Sequence, residues 1–183
     1  MTKRTFALAA VLVLALAAGA LALQHFHRAV PLPEASARCY FSPSGGCTEA
    51  IVSELEKARK SIHVQAYLFT SAPIAKALKD AHDRGVRVQV LLDKSNKSEK
   101  YSVADFLVHA GIETRIDSGK GIAHNKVTIV DEQVVLTGSF NFTKAAEESN
   151  EENLLVCDSS ALAARYLENW RKQAAKCAPY AGK

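Results

Sequence analysis

No stretch of this 183-residue chain repeats another, no two cysteines form a C-x-x-C pair, and nothing resembles a carboxylate cluster for two metal ions. The missing repeat means that any scheme needing two like halves has to draw the second half from another chain. The missing C-x-x-C pair weighs against zinc, and neither a metal nor another cofactor is expected. Charge of one sign is scarce as well. The formal charge is +4 and falls to +2 without Lys3 and Arg4, too mild to single out a nucleic-acid binder on charge alone. Nor is there length for two full domains. With 48% apolar and 23% charged residues, the chain suits one ordinary core.

The N-terminus is the most biased segment. Met1–Arg4 is a short positive head, and Thr5–Leu23 then runs 19 residues without a charge. Ala18-Gly19-Ala20 and Ala20-Leu21-Ala22 both fit a small-x-small cleavage site, so residues 1–22 read as a secretory signal peptide. The competing reading is an uncleaved anchor, since such a run is just long enough to span a bilayer; only then would a membrane be a partner. The expected location is periplasmic or secreted. The four cysteines, Cys39, Cys47, Cys157 and Cys177, fit export, because an even number suggests two disulfides in an oxidising compartment. The local pairings Cys39–Cys47 and Cys157–Cys177 are the ones expected, with buried free thiols as the alternative.

Residues 23–37 read as a linker containing Pro31 and Pro33, in which His25 and His27 are incidental. A single domain follows over 38–183. Cys39–Phe41 reads as a strand and Ser42–Gly46 as a turn. Thr48–Lys60 has helical spacing. Ser61–Leu68 alternates, with Ile62, Val64, Ala66 and Leu68 on one side and His63, Gln65 and Tyr67 on the other. Ala72–Arg84 and Ser102–Ala110 read as helices ended by Gly85 and Gly111. Val86–Leu92 and Ile112–Ile116 read as strands, and Asp93–Lys100 as a charged loop. Ile122–Val130 and Gln133–Thr137 flank a tight Asp131-Glu132 turn, Asn153–Val156 is a strand, and Ser159–Ala175 is a closing amphipathic helix. Strands alternating with helices predict an α/β fold, a layered α/β/α sandwich on a mixed, mainly parallel sheet.

One segment carries chemistry. His124 and Lys126 are two apart on a predicted strand and so share a face. The returning strand ends in Gly138-Ser139-Phe140-Asn141. A hairpin thus brings an imidazole, an ammonium, a hydroxyl and a carboxamide to one end of a sheet. Lys, Ser and Asn suit the non-bridging oxygens of a phosphate. An imidazole, which ordinarily titrates near pH 6.5, can attack phosphorus or move a proton. A glycine lets backbone approach a bulky anion.

His124-x-Lys126-x-x-x-x-Asp131, followed after six residues by Gly138-Ser139-x-Asn141, resembles the signature of the phospholipase D superfamily. The likeness runs from about Tyr40 to Trp170. The stretch Gly138–Glu147, with Asn150, Glu152 and Asn153, is similar to the small bacterial endonuclease branch. Family enzymes use two signatures, and the small nucleases reach that number as homodimers. One signature here therefore implies a twofold dimer with the two His124 facing across a shared site. The resemblance implies a phosphohistidine on one His124, proton donation by the other, and Lys126, Ser139 and Asn141 on the phosphate. Glu152 matches the family's acidic partner of the imidazole. Asp131 belongs to the catalytic pattern, yet its place at a turn suggests that it orients the hairpin or a dimer contact.

Other residues have plainer readings. His63, His82 and His109 match nothing and read as structural, and Glu147, Glu148, Glu151 and Glu152 also fit a solvated acidic face. Lys144, just past the motif, either touches substrate backbone or has no part in binding. Lys94, Lys97, Lys100, Arg115 and Lys120 either guide a polyanion or are ordinary solvated charges. Tyr67 and Phe69 either stack on bases or pack in the core. The leading expectation is a metal-independent endonuclease on DNA, and RNA too, with little sequence preference, since no base-reading module is present. A phospholipid phosphodiesterase is the alternative. The third reading, a protein that holds phosphate backbone without cutting it, is opposed by the intact His124 and Lys126.

Overall fold

A computed structural model describes residues 36–182, and the expected signal peptide and most of the linker lie outside them. Among these residues eight strands form one sheet, in the order β1-β7-β6-β5-β2-β3-β4-β8. The strands are β1 (Ser36–Phe41), β2 (Ser61–Ala66), β3 (Arg87–Leu92), β4 (Glu113–Asp117), β5 (Lys126–Val130), β6 (Val134–Gly138), β7 (Asn153–Asp158) and β8 (Cys177–Pro179). The helices are α1 (Cys47–Lys57), α2 (Ala72–Asp83), α3 (Ala104–His109), α4 (Lys144–Glu148) and α5 (Ser160–Ala174), with a 3₁₀ turn at Lys94–Lys97.

The layered α/β architecture is as expected, and both faces of the sheet are covered. Apolar residues of α1, α2 and α3, such as Ile51, Leu55, Ile74, Leu78 and Leu107, pack with Ile62, Val64 and Val90 on one face. On the other, Leu167 and Trp170 of α5 pack with Leu91, Val127, Ile129 and Val135. That cover explains why all six residues of β2 are buried although three are polar. Trp170 Nε1 donates to Val64 O at 2.9 Å, and its ring meets His63 edge-on at 4.9 Å.

The expected parallel majority is corrected. Only the β2–β3 and β3–β4 ladders are parallel, joined by helical crossovers, whereas β1–β7, β7–β6, β6–β5, β5–β2 and β4–β8 are antiparallel. Hairpin and edge pairings need no crossover helix, so they dominate the strands that come late in the chain. Two elements lie where the sequence reading had none, α4 and the edge strand β8. β1 begins at Ser36, inside the expected linker.

The expected disulfides are corrected too; all four cysteines are free. Cys157 on β7 and Cys177 on β8 are six strand positions apart, roughly 29 Å at the usual strand spacing, whereas a disulfide needs Cα atoms within about 7 Å. Arg38 on β1 reaches Glu54 of α1 at 3.0 Å, so the neighbouring Cys39 points to the opposite face. Cys47 is sealed in the core on the α1 side.

Two local devices hold the frame. Asp131 and Glu132 both have positive φ, 53° and 59°, the turn that suits a two-residue hairpin. Helix α1 has no cap from its own N-cap residue, Gly46; instead Glu147 of α4 accepts from Gly46 N at 3.2 Å and Thr48 N at 2.7 Å.

Candidate active site

Register gathers the site. Ala66 at the end of β2 pairs with Lys126 at the start of β5, Val127 with Thr137, and Gly138 at the end of β6 with Leu154 near the start of β7. Four adjacent strands therefore expose one edge, and the predicted phosphate-binding residues sit on it.

His124 lies in the loop just before β5, since the strand starts at Lys126 rather than at Ile122. Its imidazole is exposed, while Lys126 is only 6% exposed. Lys126 Nζ lies 3.0 Å from His124 Nε2 and 3.1 Å from His124 O. A charged ammonium has only hydrogens to offer, so Nε2 is the acceptor and the imidazole proton sits on Nδ1. The Tyr67 ring packs against the imidazole at 4.5 Å, and the Lys126 ammonium sits 5.0 Å from the same ring. Burial pushes the Lys126 ammonium below the ordinary lysine range, and Glu152 pulls it back up.

The second half of the pattern follows an alternation of two. Phe140 and Phe142 are buried, so Ser139 and Asn141 take the other side. Ser139 Oγ accepts from Asn153 N at 3.1 Å and from Asn153 Nδ2 at 3.2 Å, which leaves its own hydrogen for a ligand. Asn141 Oδ1 is buried without a partner. Gly138 is sterically required, because a Cβ there would collide with the Asn153 carbonyl. Ser139 N and Phe140 N both donate to that carbonyl, at 3.1 and 3.2 Å.

Glu152 stands close enough to Lys126 to act on its charge. It does not make the expected bond to His124 within the chain; its Oε1 accepts from Asn150 Nδ2 at 3.3 Å. Asp131, part of the family pattern, sits away from the other pattern residues, at the turn. It follows the far end of β5, separated from Lys126 by a five-residue strand, or roughly 16 Å. Its carboxylate accepts from Arg59 N, Lys60 N and Ser61 N at 2.9, 2.7 and 3.0 Å. Burial raises this carboxyl, but the three N–H donors outweigh it, and the net shift is downward.

Three further residues support the site in roles that the sequence does not show. Asn153 orients Ser139, Tyr67 backs the imidazole, and Asp93 binds Ala123 N at 2.7 Å, next to the imidazole's own residue. Asp93 closes an apolar strand in a charged loop, and no periodicity marks a buried carboxylate. Among the described residues, no group of three or more His, Cys, Asp or Glu is placed to hold a metal ion. The positive charge facing the site comes from Lys126.

An imidazole with a free ring edge, an adjacent ammonium, a hydroxyl and a carboxamide form a site for a tetrahedral anion. Residues 51–173 match a family model described as cardiolipin synthase, PLD-like domain. The chain belongs to the phospholipase D superfamily. Among the relatives of this phospholipase D-type chain is a protein named phospholipase D from Rickettsia conorii (strain ATCC VR-613 / Malish 7). It is 44% identical over 155 residues, spanning 85% of this chain and 77% of the relative. Mitochondrial cardiolipin hydrolase of Canis lupus familiaris is 32% identical over 140 residues, covering 76% of this chain and 55% of that protein. The crystal structure of Nuc from Salmonella typhimurium, a phospholipase D family member, superposes with a TM-score of 0.77 at 39% identity. That match covers 80% of this chain and 99% of Nuc. The chain is thus a phosphodiesterase-type member of this superfamily.

Proposed function

We propose that the protein is a metal-independent endonuclease that cleaves DNA, and RNA too, through a phosphohistidine. The observation that carries this reading is the exposed His124 imidazole held by Lys126 at 3.0 Å. The exposed Lys94, Lys97, Lys100 and Lys120 belong to the loops after β3 and β4, which Lys94 ties together and Asp93 ties to Ala123, and these suit a polyanion. The near-complete cover of Nuc, a chain with the same compact fold, supports it.

In this reading the phosphate takes Lys126 Nζ, Ser139 and Asn141, and Nε2 is released to attack phosphorus. A P–N bond forms and the P–O bond to the leaving alcohol breaks. A proton comes from a second His124, supplied by another copy of the chain across a twofold axis. Water then breaks the P–N bond as that second imidazole takes its proton. In the assembled dimer Glu152 bonds Nδ1. Export to the periplasm or beyond fits the N-terminal sequence.

A phospholipid substrate is favoured by a different observation. An apolar groove of about 840 Å³ is lined by Thr70, Pro73, Tyr101, Val103 and Phe106, and Tyr101 and Phe106 are exposed. Plasmid DNA and phosphatidylcholine vesicles, each incubated with the protein and with His124→Ala in excess EDTA, separate the two. Nicking of DNA by the wild type alone is expected. Choline release without nicking would make the lipid the substrate, and loss of all activity in EDTA would overturn the metal-independent mechanism.

A further inference from the structure

His124 sits outside any ladder, in an exposed loop, yet its ring must meet phosphorus in line. Besides Lys126, two contacts hold it, one on the neighbouring backbone and one on the ring. The first is the bond from Ala123 N to Asp93 Oδ2 at 2.7 Å; the second is the Tyr67 ring at 4.5 Å. Both lead to the same four residues after β3. Asp93 is 1% exposed; its Oδ1 accepts from Ser95 N at 2.9 Å, and its own N–H donates to Ala66 O at 3.1 Å. Asn96 is 2% exposed; its Nδ2 donates to Tyr67 O at 2.7 Å and to Asp93 O at 3.1 Å, and its Oδ1 accepts from Phe69 N at 3.3 Å. A third strap runs from the same loop, where Lys94 Nζ donates to Gly119 O at 3.0 Å and Lys120 O at 3.3 Å.

We propose that Asp93, Asn96 and Tyr67 are positioning residues that fix the His124 imidazole for attack. A buried carboxylate is costly unless its acceptors are filled, and an apolar residue would end β3 without that cost. What the Asp93 carboxylate provides is a partner for one backbone N–H on each of two loops, one of which carries the nucleophile. Asn96 then holds the backbone of Tyr67, the residue whose ring backs the imidazole. None of the three needs to touch substrate. The inference rests on the phosphodiesterase chemistry of the family and not on the choice of DNA, so a failed DNA assay leaves it standing.

The test uses the full chain and bis(4-nitrophenyl) phosphate, with Asp93→Asn, Tyr67→Leu and Tyr67→Phe, and with the folded fraction measured by circular dichroism. A misplacement of about 1 Å costs about 100-fold. In Asp93→Asn and Tyr67→Leu, kcat per folded molecule is therefore expected to fall by about 10- to 100-fold with KM within about 3-fold. Tyr67→Phe is expected to restore most of what Tyr67→Leu loses. A readout that needs no turnover is ¹⁵N NMR of the imidazole. The wild type is expected to show His124 as one tautomer with Nε2 accepting from Lys126, and the two impaired variants an averaged or broadened ring. If Asp93→Asn fails to fold, the Tyr67 pair decides. Wild-type kcat per folded molecule together with unchanged His124 signals would overturn the proposal.

Discussion

In the proposed mechanism, an ammonium that donates to the nitrogen meant to attack phosphorus lets go before reaction, and an arriving phosphate supplies the reason to do so. On that mechanism, the 3.0 Å contact of Lys126 with His124 Nε2 is a resting state in which the attacking nitrogen is masked and its tautomer set. His63 shows a histidine put to structural use. It is buried against Trp170 with Nδ1 unpaired. Burial lowers its pKa, Arg87 and Arg171 push the same way, and Glu132 and a bond to Gln89 oppose them. Below the ordinary imidazole value of about 6.5 the unfolded chain therefore binds a proton that the folded chain resists. This contribution is complete above that pH and is lost as the pH falls towards the lower folded-state value. Urea unfolding between pH 7.5 and 5 is expected to show the wild type losing more stability than His63→Gln; parallel losses would remove His63 from the account. At this scale His124, Lys126, Ser139 and Asn141 were legible because their spacing is itself a chemical pattern. Asp93 and Asn96 were not, and Tyr67 only as a stacking or core residue, because their contacts join distant segments.

Asp131 belongs to the scale of the element. It sits in the left-handed region at the β5–β6 turn and gathers three N–H groups from the chain entering β2, so it ties a hairpin to the central strand. Asp131→Ala is expected to cost about 2–3 kcal/mol in chemical denaturation, with kcat per folded molecule unchanged. Asp131→Asn, which tolerates the same turn and keeps one acceptor, is expected to lose about half as much. A fall in kcat at full folding would return Asp131 to the catalytic machinery. Elements with strong periodicity, α1, α2, α5 and β2, lie close to where spacing put them. α4 and β8 were missed for a physical reason. Five residues and three residues are too short to carry a period, and a Cys-Ala-Pro strand exists only because β4 offers an open edge.

At the scale of the molecule the cysteines give the clearest test. Cys157 and Cys177 lie towards opposite sides of the sheet, and Cys39 and Cys47 project to opposite faces. Removing a native disulfide typically costs about 2–5 kcal/mol, or on the order of 10 °C in Tm for a domain of this size. The purified protein is expected to melt within about 2 °C of the same temperature with and without reductant. A fall of the larger size would restore the local pairing.

By itself the sequence determined the layered α/β class and the pattern of His124, Lys126, Ser139 and Asn141 that marks the family, because apolar spacing and one chemically specific pattern are local properties of the chain. Only the tertiary structure decided the antiparallel majority of the sheet, the separation of the cysteines, the three N–H groups that Asp131 gathers and the arrival of Asp93 and Tyr67 beside His124. Each of those depends on which strand becomes whose neighbour. That choice is set by burying both faces of one sheet at once, and no single segment carries it.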